Sequence, residues 1–249
     1  MATPRRRRIR LGLLIFWSLV VAWMFWNMQP KQVAATIFES TAGVEVTRSS
    51  DALTFTPAVD TAKAGLIFYP GALVHPDAYA PFARAVAEAG YQAVILPLPW
   101  RLAPTGAQQA ALAARTLAHI QADERSWVLS GHSRGGALAA QLAPDLANHL
   151  DGLLLIGTSH PKEHDLSALQ LDVTKIYATE DGLASVPEVE GFASNLPETT
   201  HWVRIDGGNH SQFGWYGWQL GAGTATISQA EQHAQTVAAT LDQLARVAR

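Results

Sequence analysis

Gly131-His132-Ser133-Arg134-Gly135-Gly136 stands between an apolar run at 127–130 and a helix-forming stretch that begins near Arg134. A serine flanked by glycines arises often by chance. Its place between a buried strand and a helix is what gives it meaning. There the chain must turn sharply, the serine is held in a strained backbone conformation, and larger neighbours would collide with strand or helix. Ser133 then projects above the sheet as a nucleophile elbow, beside a helix N-terminus that favours negative charge.

On both sides of this stretch the pattern is strand, then helix, repeated. Residues 65–69 form a short apolar run ending in Pro70-Gly71, and Tyr79, Phe82, Val86 and Ala89 follow at helical spacing before Gly90. Strands are predicted at 93–96, 153–156, 175–178 and 202–205, with an alanine-rich helix over 105–122. Ser228 and Glu231 form a capping box for a final helix, and Val237, Leu241 and Leu244 mark its apolar stripe. Upstream, 44–47 and 53–56 alternate around Ser49-Ser50-Asp51 as a β-hairpin. Short, continuously apolar strands between helices predict an α/β fold with a mostly parallel, doubly wound sheet covered on both faces. Ligands of such sheets lie beyond the carboxyl ends of the strands.

A serine hydroxyl is a weak nucleophile without a base, and on an elbow of this kind the order is serine, acid, histidine. His210, in Gly207-Gly208-Asn209-His210-Ser211, follows the last predicted strand. His149 falls near a helix end and His233 inside the final helix, while His160 and His164 follow strand 153–156 as candidate pocket residues. The acid belongs after strand 175–178, where Thr179-Glu180-Asp181-Gly182 offers two carboxylates. Asp181 is preferred because Gly182 permits a tight turn, with Glu180 the alternative. The oxyanion donors are expected to be the backbone N–H groups of Arg134 and Ala72, Gly71 allowing close approach. Arg134 either attracts a substrate carboxylate or phosphate, or packs its stem and sends its head to water. Residues 213–218, rich in aromatics and glycine, fit a pocket roof, a membrane contact or core packing.

Taken together, Tyr69-Pro70-Gly71-Ala72, Ala78-Tyr79-Ala80-Pro81, residues 127–136, and Gly207-Gly208-Asn209-His210 with Phe213-Gly214 resemble the α/β hydrolase fold-5 group, close to dienelactone-hydrolase-like enzymes. The resemblance covers about residues 60–240. It implies an α/β-hydrolase fold with a minimal lid, and it carries the triad onto Ser133, Asp181 and His210. Arg134 departs from the leucine common at that position, which spares the backbone donor and changes the polarity of the pocket. The group does not define one substrate.

Length and composition agree with one catalytic unit. At 249 residues and 48% hydrophobic content the chain buries one full core, and a net charge of -3 gives no broad nucleic-acid surface. Without cysteine there is no disulfide, thiolate metal site or cysteine nucleophile. No metal or organic cofactor is implied. The basic charge gathers at Arg5, Arg6, Arg7, Arg8 and Arg10, ahead of an uncharged apolar run at 11–26 that rises about 24 Å as a helix. With its flanks the run approaches the roughly 30 Å hydrocarbon core, and Trp23 and Trp26 stand where an interfacial belt belongs. A single-pass anchor follows, with a cytoplasmic N-terminus and an extracytoplasmic catalytic domain. The alternatives are a secreted form after signal cleavage near Val33-Ala34-Ala35, a buried helix, and a twin-arginine signal.

The expected organisation is 1–28 as basic segment and transmembrane anchor, 29–59 as linker and hairpin, and 60–249 as catalytic domain. Removal of residues 1–30 is then expected to release a soluble, active domain. The expected activity is hydrolysis of a small-molecule ester or related acyl bond through a Ser133 acyl-enzyme. An acyltransferase with the same triad and a catalytically silent, membrane-tethered binding protein are the alternatives.

Overall fold

Eight strands form one sheet in the order β1-β2-β4-β3-β5-β6-β7-β8. These are β1 (Val44–Arg48), β2 (Leu53–Pro57), β3 (Ala64–Tyr69), β4 (Gln92–Ile95), β5 (Ser126–His132), β6 (Gly152–Ile156), β7 (Asp172–Ala178) and β8 (His201–Ile205). The computed structural model describes residues 4–58 and 64–248, with side chains from Ile9 onward. From β4 to β8 every pairing is parallel. The expected α/β-hydrolase sheet is therefore present, with its strand ends on one side.

The uninterrupted apolar runs have a simple cause: both faces of the sheet are covered. Leu66, Phe68, Val128, Leu154 and Ile176 share one core with Phe82 and Val86 of α2 (Ala80–Glu88) and Leu244 of α6 (Gln229–Val247). The alternate residues Ile67, Tyr69, Leu129, Leu153 and Leu155 meet Leu112 of α3 (Ala107–Ile120) and Leu138 of α4 (Arg134–Leu146). A short α5 (Val186–Gly191) after β7 gave no sequence signal of its own, being too short for a periodic stripe.

Two features differ from the sequence reading. The hairpin β1–β2 is built into the sheet, since β2 pairs antiparallel with β4 and leaves β1 as the edge strand. The expected domain boundary at 60 falls among residues 59–63, outside the described residues. The α6 face is also more polar than its stripe suggested, with Gln232, Thr236, Thr240 and Gln243 all buried. Gln243 donates to the carbonyls of Leu153 and Asp172, which ties α6 to the start of β6 and β7. Ser228 and Glu231 make the expected capping box.

α1 (Pro4–Asn27) precedes the sheet. Residues Ile9–Asn27 have a mean hydropathy of 1.9 and none of the span is buried inside the chain, so this is a candidate span by length and composition. Nineteen residues rise about 28 Å. The core-helix alternative is thereby set aside. The side chains of Arg5, Arg6, Arg7 and Arg8 lie outside the described residues.

The chain just after α1 is no free linker. Met28 is 1% exposed and sits in the core with Tyr79, Phe213 and Tyr216. Its carbonyl accepts from His75 N–H, while Gly217 N–H donates to Asn27 and Lys31 N–H to Trp215. A cut at residue 30 would therefore remove a core side chain, contrary to the expected clean release.

Candidate active site

β5 delivers the elbow to the carboxyl end of the sheet. Ser133 holds φ +54°, a left-handed conformation that costs a non-glycine residue about 1–3 kcal/mol. The surrounding structure maintains it: Ser133 N–H donates to Ile156 at 2.9 Å, and Ala137 N–H closes the first turn of α4 on the Ser133 carbonyl. A Cβ on Gly135 would strike the Tyr69 carbonyl, and one on Gly131 would strike the Gly135 backbone. The glycines are therefore required by the closeness of β3, β5 and α4.

Ser133, His210 and Asp181 come together in one hydrogen-bonded line. His210 Nε2 lies 2.9 Å from Ser133 Oγ, and His210 Nδ1 lies 2.8 Å from Asp181 Oδ2. Both His210 and Asp181 are buried. The other Asp181 oxygen accepts the N–H groups of Leu183 and Ala184, each at 2.8 Å, which holds the carboxylate in one orientation. Glu180 is exposed and, among the described residues, its carboxylate accepts only from the Thr179 hydroxyl, so the two adjacent carboxylates have opposite surroundings. His210 is fixed from behind by Gln232 of α6, which accepts from Asn209 N–H and donates to Asn209 O.

The sequence reading expects the backbone N–H groups of Ala72 and Arg134, in the turn after β3 and at the start of α4, as oxyanion donors. Neither Ala72 N–H nor Arg134 N–H has a hydrogen-bond partner among the described residues. A Cβ on Gly71 would lie 3.6 Å from Ser133 Cβ, which shows how near that turn runs to the serine. Gly71 N–H donates to the Tyr79 hydroxyl at 3.1 Å, and that hydroxyl lies 2.8 Å from His132 Nδ1. The hydroxyl thus bridges the Gly71 N–H and His132 Nδ1, and the His132 tautomer sets whether the hydroxyl or Nδ1 donates between those two.

Burial pushes His132 well below the ordinary histidine range. Its ring lies 4.6 Å from that of His210, so a neutral His132 spares His210 a like charge. Sequence reading quoted Tyr79 and His132 within motifs without assigning them to the site. Their link joins segments 53 residues apart, which no local pattern reveals.

One cavity lies against the serine and a second adjoins it. The first, about 220 Å³, is lined by Ser133, Arg134, Thr158, His160, Leu183 and His210. The second, about 250 Å³, shares Arg134 and His160 and adds Gln141, Glu163 and His164. His160 and His164 thus line a pocket, and burial with Lys162 nearby pushes His160 down to about 4. Arg134 is exposed and has no protein hydrogen bond or ion pair among the described residues, so its head reaches the cavities and water. Under this floor the fully buried Lys175 donates to the His160 carbonyl, and burial pushes its ammonium down to about 7. Residues 213–218 line neither cavity. Phe213 and Tyr216 are core, and Trp218 meets Trp23 of α1 at 5.9 Å between ring centroids.

Comparison with known proteins bears on this arrangement. No curated protein sequence matches significantly. Among solved structures, Est1E from Butyrivibrio proteoclasticus superposes with a TM-score of 0.59 and 11% identity, over 82% of this chain and 99% of that one. A CIB-like hydrolase from Thermoplasma acidophilum gives 0.61 and 11%, over 80% and 100%. A ferulic acid esterase from Streptomyces cinnamoneus gives 0.59 and 17%, over 74% and 67%. At such identities the likeness is one of fold. The family model described as "Alpha/beta hydrolase family" matches residues 65–234, which hold β3 through the first turns of α6. The chain belongs to the α/β-hydrolase family.

Proposed function

We propose that this chain is a membrane-held serine hydrolase that cleaves an ester or related acyl bond through a Ser133 acyl-enzyme. The observation that carries the reading is the unbroken line from Ser133 Oγ through His210 to the buried Asp181. In the proposed reaction His210 Nε2 takes the serine proton as Oγ attacks the acyl carbon. Asp181, held by two backbone donors, orients the imidazole and stabilises its protonated form. The free N–H groups of Ala72 and Arg134 receive the developing oxyanion, a contribution of about 3–4 kcal/mol for each such donor. His210 then returns the proton to the leaving group, and water repeats the sequence to release the acid. The esterase named among the structural neighbours is compatible with an acyl substrate here. The small volumes beside Ser133 favour a compact acyl group at the reacting centre.

The reading places α1 as an uncleaved anchor, N-terminus inside and catalytic domain outside, on the strength of an exposed apolar helix of nearly spanning length. Labelling with a fluorophosphonate probe tests the chemistry. The full-length chain should label and turn over short-chain aryl esters, and Ser133→Ala should do neither while keeping its fold. Labelling of Ser133→Ala at the wild-type rate would overturn the nucleophile assignment.

A further inference from the structure

Outside α1, the large apolar side chains exposed among the described residues are Trp100, Leu102, Leu183, Trp202, Trp218 and Leu220. All except Trp202 stand on loops that leave the carboxyl ends of β4, β7 and β8. Ser133 and His210 lie at that same end of the sheet, and Leu183 itself lines the cavity beside Ser133. Single exposed apolar residues need no explanation, but a set gathered around one rim marks an interaction surface.

α1 joins the domain at this rim. Asn27, Met28 and Lys31 are bonded to Gly217, His75 and Trp215, all in loops at the carboxyl end of the sheet. The contact of Trp218 with Trp23 reaches past the end of the helix. Trp23 stands four residues before the last residue of α1, so Trp218 runs back along the helix by about 6 Å. One rim loop therefore lies level with the last turn of the candidate span. Lys31 Nζ sits 4.5 Å from the Trp26 ring centroid at the same level, a cation and aromatic pairing suited to a headgroup layer.

We infer that this rim, tipped by Trp100, Leu102, Trp218 and Leu220, rests on the lipid surface that α1 crosses. The cavity beside Ser133 then opens at the bilayer and receives an amphiphilic ester from it. The inference rests on the proposed reading of α1 as an uncleaved span and of Ser133 as nucleophile. Its physical basis is placement: Trp218 touches the last turn of the span, and Trp100, Leu102, Leu183 and Leu220 are exposed on loops at the same end of the sheet as the cavity beside Ser133. Tryptophan and leucine at such tips enter the interface while the polar backbone behind them stays hydrated.

The chain has no cysteine, so single cysteines report position cleanly. Full-length Trp100→Cys, Leu220→Cys and Glu124→Cys, each carrying an environment-sensitive dye, would be reconstituted in phosphatidylcholine vesicles. Glu124 is exposed on the turn between α3 and β5, at the opposite end of the sheet. Dyes at 100 and 220 should brighten several-fold and be quenched by nitroxide lipids, while the dye at 124 should do neither. If the protein floats with the vesicles and all the dyes report water, the inference is overturned and the anchor stands. Equal quenching at 124 and 220 overturns it too. If the protein does not float, the span reading fails and the inference with it.

Delivery of substrate is read separately. An ester joining a short acyl group to a long-chain alkylphenol, placed in the enzyme's own vesicles, should be turned over at least tenfold faster than the same ester in protein-free vesicles mixed with them. Equal rates, or turnover of a soluble short-chain ester alone, would overturn delivery from the bilayer and leave the hydrolase reading intact. Absence of turnover and of fluorophosphonate labelling together would instead remove the hydrolase reading.

Discussion

The Tyr79 hydroxyl lies 2.8 Å from His132 Nδ1 and also accepts the Gly71 N–H, so one phenol ties the turn beside the serine to the strand that carries it. Tyr79→Phe would leave the buried Gly71 N–H and His132 Nδ1 without their shared partner, at a cost of about 1–3 kcal/mol. Because Gly71 adjoins the proposed donor Ala72, ester turnover should fall through kcat with KM nearly unchanged. Thermal melting and steady-state kinetics on the same preparation check this. A lower Tm with wild-type kcat would reduce the pair to a structural contact.

Asp181→Asn is expected to lower kcat by about 10⁴, because the amide no longer fixes the imidazole tautomer and stabilises no imidazolium. Glu180→Gln should stay within a few-fold of wild type, since that side chain is exposed and bonded, among the described residues, only to its neighbour Thr179. The reverse ranking in steady-state assays would move the acid role to Glu180.

Truncation should show a sharp boundary. A chain beginning at Asn27 keeps Met28 in the core and should be soluble, folded and active. A chain beginning at Lys31 loses that side chain and the bond from His75 to Met28. Emptying such a site costs about 2–5 kcal/mol, or a Tm lower by roughly 5–15 °C for a domain of this size. Calorimetry of the two truncated forms measures the difference, and equal melting would show that residues 27–30 contribute nothing.

Lys175 makes stability depend on pH. Burial lowers its ammonium from 10.5 to about 7, so between those values the unfolded chain binds more protons than the folded one. Stability should accordingly rise with pH across that window, by on the order of 4–5 kcal/mol, and the penalty of the buried charge is fully present below pH 7. Lys175→Met should flatten the rise. Denaturant midpoints of both proteins from pH 6.5 to pH 10 test this, and parallel profiles would exclude Lys175 as the source.

Much of the molecule is legible in local pattern. The alternation of apolar runs with helical stretches determined a parallel, doubly wound sheet, because a strand covered on both faces has no polar side to show. Ser133 was legible because a serine between a buried strand and a helix, with glycine on both sides, meets steric conditions that lie within six consecutive residues. His210 was legible from its place after the last strand. The candidate span was legible because α1 satisfies length and polarity conditions without help from any other segment.

Other features were decided by segments far apart in the chain. Glu180 and Asp181 are adjacent and chemically alike. Their different surroundings arise because Asp181 turns inward onto His210 and its own loop's N–H groups, while Glu180 turns to solvent. Residues 213–218 divide by position, Phe213 and Tyr216 packing into the core with Met28 while Trp218 meets Trp23 of α1, a division that local sequence does not carry. The partnership of Tyr79 with His132 and the support of Asn209 by Gln232 had no sequence signal at all. Periodicity records which face of an element avoids water, and so it determines the layers of this fold. It carries no record of which loop lies opposite which, and only the closed tertiary structure settles those hydrogen bonds.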